Sequence, residues 1–154
     1  MTIETRVFGE VTIDSAKIIH FDNGIVGFPE LQDFALLHDA DKGDNAGIRW
    51  MQSLQEPAFA MPVMDPLTVS PEYNPSVDEE VLKPLGGLVP DETLVLVTVT
   101  VPSDIKKMSV NLKAPIVINV NNRKASQIIL DSDEYLVKFP IYDILDAKKK
   151  EGTC

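Results

Sequence analysis

Asn111-Leu112-Lys113-Ala114-Pro115-Ile116-Val117-Ile118-Asn119 is the most informative stretch of this 154-residue chain. Its apolar centre is β-branched, and asparagines rather than charges stand at its ends. Pro115 has no N–H to give to a strand ladder, so the run reads as an edge strand or as a bend entering one. Asn111 and Asn119 carry amides able to bond nearby backbone, which punctuates the two ends. No catalytic group lies within it. A recognition surface or a fold keystone is the reading it supports, which turns attention from reaction to partner.

Working outward, Thr93 to Val101 alternates Val and Thr with Leu and is the strongest strand pattern in the chain. Beyond the run, Asn121-Asn122-Arg123-Lys124 reads as a hairpin tip, followed by strand patterns at Ser126 to Leu130 and Tyr135 to Phe139. Toward the N-terminus, Thr2 to Val7 and Val11 to Ile13 form a hairpin pattern around Phe8-Gly9-Glu10. Lys17 to Phe21 is a strand closed by the turn Asp22-Asn23-Gly24. Phe34 to Leu37, Ile48 to Leu54 and Ala58 to Val63 are further strands, with a polar loop at Asp39 to Gly47. Helical signals are short. Pro29 suits the first position of one helical turn. Val77 to Leu82 places Asp78, Glu79 and Glu80 in a first turn between Pro75 and Pro84. Ile141 to Lys150 reads as a terminal helix. Many short strands between turn signals predict an all-β fold, an antiparallel barrel-like or sandwich architecture with one to three short helices. The expectation is one domain over 1–154, with a tail from about residue 146 to 154 expected to be disordered.

Hydrophobic content of 44% with 25% charged residues is ordinary for a soluble globular protein. The formal net charge is −10, from 14 basic and 24 acidic residues. Such a surface repels phosphate backbones and steers basic proteins toward it, which argues against direct nucleic-acid binding. Cys154 is the only cysteine, so neither an internal disulfide nor a multi-cysteine metal site is available. The polar start MTIETRVFGE has no signal-peptide apolar segment, and no apolar run approaches membrane-spanning length. A cytoplasmic protein without membrane association is the expectation.

Chemistry-bearing patterns are scarce. His20 and His38 are the only histidines, and neither sits in a metal-binding spacing. His20, inside an apolar strand, reads as structural. No GxSxG-like elbow is present. Gly24-Ile25-Val26-Gly27 and Gly86-Gly87 lack the rest of a phosphate-binding motif and read as turns needing positive φ. Trp50 with Met51, and Phe59 with Met61, read as core packing. No catalytic, cofactor-binding or metal-ligating residue is assigned. An all-β ligand-binding or hydrolytic barrel using carboxylates is the alternative, and it requires a deep pocket with converging polar groups.

Taken together, Ile18-Ile19-His20-Phe21, Gly24-Ile25-Val26-Gly27-Phe28, Trp50-Met51-Gln52-Ser53, Asp65-Pro66, the Asn111–Asn119 run, Arg123, Gln127-Ile128-Ile129-Leu130 and Tyr135 resemble the FliW family of flagellar assembly factors. Met51 stands where the family has leucine, and Ala125-Ser126 where a glycine is common. The resemblance implies a cytoplasmic, non-enzymatic, barrel-like regulator without cofactors. It implies two partners: the translational regulator CsrA, a small basic dimer that represses flagellin messenger, and flagellin itself, exchanged in a partner switch. The acidic balance fits the first of these. Candidate CsrA-binding residues are the acidic clusters Asp78, Glu79 and Glu80; Asp91 and Glu92; and Asp131, Asp133 and Glu134. Candidate flagellin-binding residues are Gly24, Ile25 and Phe28 at one turn, with Asn111, Leu112, Pro115, Ile116 and Asn119 on a strand expected to offer an open edge.

Overall fold

The alternating apolar patterns become eleven short strands in a computed structural model that describes residues 2–5, 9–14, 17–37, 49–75, 79–86, 90–130 and 135–152. The expectations for Arg6 to Phe8, His38 to Ile48, Val77, Asp78, Gly87, Asp131 to Glu134 and Cys154 lie outside the described residues. β1 (Thr2–Thr5) and β2 (Gly9–Thr12) make a separate antiparallel hairpin. β3 (Ile19–Phe21), β4 (Asp33–Leu37), β5 (Arg49–Ser53), β6 (Ala60–Met64) and β7 (Thr93–Thr100) follow as an antiparallel succession. β8 (Ser109–Val110) and β11 (Phe139–Pro140) extend the sheet beyond β7. β9 (Ile116–Asn119) and β10 (Lys124–Gln127) form a hairpin, and β10 pairs with β3 while β9 pairs with β7. Those two pairings close seven strands into a barrel, β7-β6-β5-β4-β3-β10-β9.

The barrel corrects the edge-strand reading of the Asn111–Asn119 run. β9 has a ladder on both sides, with Leu94 opposite Ile118 and Ala125 opposite Ile118 on the other edge. Pro115 stands just before β9, where its missing N–H leaves no gap in either ladder. Asn111 to Pro115 is the bend. The Asn111 side-chain oxygen accepts from the backbone N–H groups of Lys113 and Ala114, at 3.1 Å each. The Asn111–Asn119 run is therefore an asparagine-held turn leading into β9, with β8 on the other side of the turn. One pairing departs from the antiparallel expectation: β10 runs parallel to β3.

All four residues of β9 are buried, because both of its faces are covered. Ile116 and Ile118 point into the barrel with Phe21, Phe34, Met51 and Val63. Val117 packs outside against Leu85, Ile128 and Leu130. A third cluster, with Met64, Val97, Val110, Leu112 and Ile141, lies at the other end of β7. Met51 is fully buried, and Phe59 and Met61 pack against the barrel interior, as the core reading of those residues expects.

Two further local expectations fall differently. Pro29 opens no helix; Leu31 N–H closes a single turn onto Phe28 O and the chain goes directly into β4. Of Tyr135 to Phe139, only Phe139 joins a strand, leaving Leu136 and Val137 exposed. Among the described residues are the helices α1 (Glu79–Leu82) and α2 (Tyr142–Gly152), with 3₁₀ turns at Pro66–Thr68, Lys83–Leu85, Pro90–Glu92 and Ile105–Lys107. α2 includes the Ile141 to Lys150 stretch read as a terminal helix, from Tyr142 onward, and its bounds are Tyr142–Gly152. Gly24 and Gly27 take φ of +66° and +88°, as their turn reading requires, and a Cβ on Gly24 would fall 2.5 Å from Pro29 O.

Ile116→Ala removes side-chain bulk from the barrel centre, where Ile116 is 0% exposed. The expected cost is about 2–5 kcal/mol of unfolding free energy in urea titration. A loss below about 1 kcal/mol would mean that β9 is not a core strand.

Candidate functional site

The break between β8 and β9 leaves an open groove of about 550 Å³ on the outside of the barrel. Leu67, Tyr73, Leu82, Val95, Pro115 and Val117 line it, from five separate segments of the chain. The elements that build it follow from local sequence. Asp65 caps the 3₁₀ turn at Pro66–Thr68 by accepting from Leu67 N–H at 2.8 Å, which leaves Leu67 51% exposed at the groove mouth. Tyr73 crosses under the bend and donates its hydroxyl to Leu112 O at 2.6 Å. Its ring stacks edge-on against Tyr135, centroids 4.8 Å apart. Burial, with the neighbouring Tyr135 hydroxyl, pushes the Tyr73 phenol well above the usual tyrosine range. The phenol therefore acts as a fixed hydrogen-bond donor.

The lining is chiefly apolar. Asp65 is the only charged side chain among the described lining residues, and it is committed to its cap. The alternative of a ligand-binding or hydrolytic barrel requires a deep pocket with converging polar groups; among the described residues the lining of this open groove brings no set of acid and base groups together. Among the described residues, no three His, Cys, Asp or Glu side chains are grouped to hold a metal ion. His20 lies elsewhere, its Nδ1 2.8 Å from Asp33 Oδ1 and its Nε2 3.2 Å from Asp22 Oδ1.

The candidate residues divide clearly. Leu112, Ile116 and Asn119 are buried and hold the scaffold, so they present no contact surface while the barrel is closed. Gly24 and Ile25 are buried as well, Ile25 within the barrel core. Pro115 is buried too, yet it forms part of the groove wall. Phe28 is 41% exposed and stacks on Phe59, and Asn111 is half-buried. The two predicted flagellin segments nevertheless meet. Gln127 accepts from Val26 N–H at 2.9 Å and donates to Ala114 O at 3.2 Å, tying the Gly24–Phe28 turn to the bend.

Of the acidic candidates, Asp78, Asp131, Asp133 and Glu134 lie outside the described residues, and only the backbone of Glu79 is described. Glu80 and Asp91 are exposed, and Glu92 is half-buried with Asn121 Nδ2 donating to it. Glu80 is two residues from Leu82, and Glu92 adjoins Thr93, both of which line the groove. Two acidic candidates are thus close in sequence to groove-lining residues, and of the apolar candidates Pro115 lines the groove itself. Sequence reasoning missed Leu67, Leu82 and Val95 as groove residues, because only the β7–β9 closure sets them side by side.

The sequence model of the family described as "FliW protein" matches residues 2–141. The chain belongs to the FliW family. It is 45% identical over 153 residues to the flagellar assembly factor FliW of Lachnospira eligens, covering 99% of this chain and 100% of that one. It is 39% identical over 156 residues to the flagellar assembly factor FliW of Lachnoclostridium phytofermentans, covering both in full. A crystal structure titled as the flagellar assembly factor FliW superposes with a TM-score of 0.83 at 30% identity, covering 92% of this chain and 97% of that chain. The chain is accordingly a flagellar assembly factor with the family's strand-built fold.

Tyr73→Phe leaves Leu112 O without its donor, and the expected loss is about 1–3 kcal/mol in urea unfolding. The folded-state shift is upward, so its stabilising contribution is complete below the unfolded tyrosine value near 10 and declines as pH rises beyond it. The wild-type chain should lose stability above pH about 10 more steeply than Tyr73→Phe; identical slopes would place the phenol in solvent. Gln127→Ala breaks both ends of the tie and should lower stability by about 1–2 kcal/mol, checked by the same titration. No change would separate the Gly24–Phe28 turn from the bend.

Proposed function

We propose that this flagellar assembly factor acts in the cytoplasm by binding CsrA and flagellin in exchange, with no bond made or broken. The observation that carries this reading is an apolar groove whose lining residues Leu82 and Thr93 each stand two residues in sequence from an exposed carboxylate, Glu80 and Asp91. A basic dimer is drawn to a chain of net charge −10, and the same negative field keeps phosphate backbones away. An amphipathic flagellin terminal helix supplies what the groove lacks, an apolar stripe to cover Leu67, Leu82, Val95 and Val117. Occupants that share one region exclude each other sterically, which supports a switch without requiring a conformational change. When flagellin is abundant it fills the groove and CsrA stays on its messenger; when flagellin is exported the surface becomes available to CsrA.

The test is displacement. Purified flagellin, titrated into a preformed complex of this chain with CsrA, should release CsrA; simultaneous occupancy of both partners at saturation would reject the shared region. Leu67→Glu places a charge at the groove mouth without touching the core, because Leu67 is 51% exposed. It should weaken flagellin binding by tenfold or more, on the order of 1.4 kcal/mol, with unfolding stability unchanged. Glu80→Lys combined with Asp91→Lys should slow CsrA association and flatten its salt dependence. Unaltered association rates would move the CsrA contact to other residues.

A further inference from the structure

The hairpin joining β9 to β10 carries Arg123 at a φ of +59°, the only non-glycine residue with positive φ among the described residues. Glycine or asparagine suits that conformation, and an arginine there runs against local preference. The backbone holds it regardless. Arg123 N–H donates to Asn119 O at 2.7 Å, and Arg123 O accepts from His20 N–H at 2.9 Å. The tip is braced underneath, where Asn119 Nδ2 and Asn122 Nδ2 each donate to Leu85 O at 2.9 Å. Asn121 Nδ2 donates to Glu92, so that carboxylate is engaged by an amide of the tip.

The guanidinium is left over. Arg123 is exposed and forms no ion pair among the described residues, on a chain with 24 acidic side chains. A conformationally disfavoured residue kept on a rigid mount points from the outlier toward function. The mount rests on Leu85, in the 3₁₀ turn that directly follows Leu82, a residue of the groove lining. The hairpin tip is thereby tied to the segment that continues from Leu82, a groove-lining residue, and it carries an exposed cation.

We infer that Arg123 is a partner-contacting residue that receives a carboxylate of flagellin beyond the Leu82 end of the groove. This rests on the groove being flagellin's site, as proposed above. Flagellin is the occupant because an exposed guanidinium without an ion pair repels a basic dimer and gains nothing from it. Arginine rather than lysine fits the role, since its planar fork donates two parallel hydrogen bonds to a carboxylate. The same side chain acts as a selector: it favours the partner that brings a carboxylate and opposes the partner that brings positive charge.

The experiment compares wild type with Arg123→Asn, Arg123→Gly and Arg123→Glu, measuring thermal unfolding and titration calorimetry with purified flagellin and, separately, purified CsrA. Asparagine and glycine accept the positive φ, so both variants should unfold at or above the wild-type temperature. Flagellin affinity should fall about tenfold in Arg123→Asn and further in Arg123→Glu. CsrA affinity should hold or rise in all three. Flagellin binding unchanged in Arg123→Asn and Arg123→Glu overturns the inference while leaving the groove reading intact. Equal loss toward both partners, or a drop in unfolding temperature in both Arg123→Asn and Arg123→Gly, also overturns it by showing a structural role. Failure of the wild-type chain to bind flagellin defeats the groove reading itself, and the inference with it.

Discussion

β9 is shared between two ladders, and that sharing is the constraint on which the remaining structure depends. A strand with Ile116 and Ile118 facing inward and Val117 facing outward buries apolar surface on both sides. Asn119 finishes it by donating to Leu85 O and accepting from Asn121 N–H, so a buried amide meets partners for both of its ends. Such a strand has no free backbone polar groups to offer a neighbour, and exposing it would leave unpaired donors and acceptors. Closure of the barrel therefore forces recognition onto outer surfaces. The groove outside β7 and β9 is the consequence.

The same constraint explains why the groove is fixed in shape. Tyr73 is bonded to the bend through Leu112 O, and the bend is held by the Asn111 side chain. Gln127 ties the bend to the Gly24–Phe28 turn. Phe28 in turn stacks on Phe59, whose ring lies 6.4 Å from that of Phe34 in the barrel interior. A continuous set of contacts runs from the exposed turn to the core. A preformed surface of this kind loses little conformational entropy when a helix docks on it.

Much of this was readable from the residues alone. The Val-Thr alternation of Thr93 to Val101 became β7, and the turn signals at Asp22-Asn23-Gly24 and at Asn121–Lys124 fell where turns are found. Local chemistry determines those features, and it is written locally. The edge reading of the Pro115 run failed for a different reason. Proline reports only that one N–H is missing, whereas the pairing of β9 with β7 joins residues twenty to twenty-six apart, such as Val95 and Val117. The parallel pairing of β10 with β3 spans a still longer separation and has no local signature. Hence Leu112 and Ile116, conspicuous in sequence, proved to be scaffold, while the groove residues Leu67 and Val95 were inconspicuous. Acidic clusters at Glu80 and Asp91 were legible as exposed because short helical turns beside prolines rarely bury carboxylates. Their nearness to the groove was not.

Native-state amide hydrogen exchange tests the keystone role of β9 most directly. The amides of Ile116 to Asn119, paired on both edges, should be among the slowest in the chain and should exchange only through global unfolding, following denaturant with the full unfolding slope. Exchange at Ile116 to Asn119 that is fast, or insensitive to denaturant while the remainder of the barrel stays protected, would show β9 opening as an edge and would contradict this account.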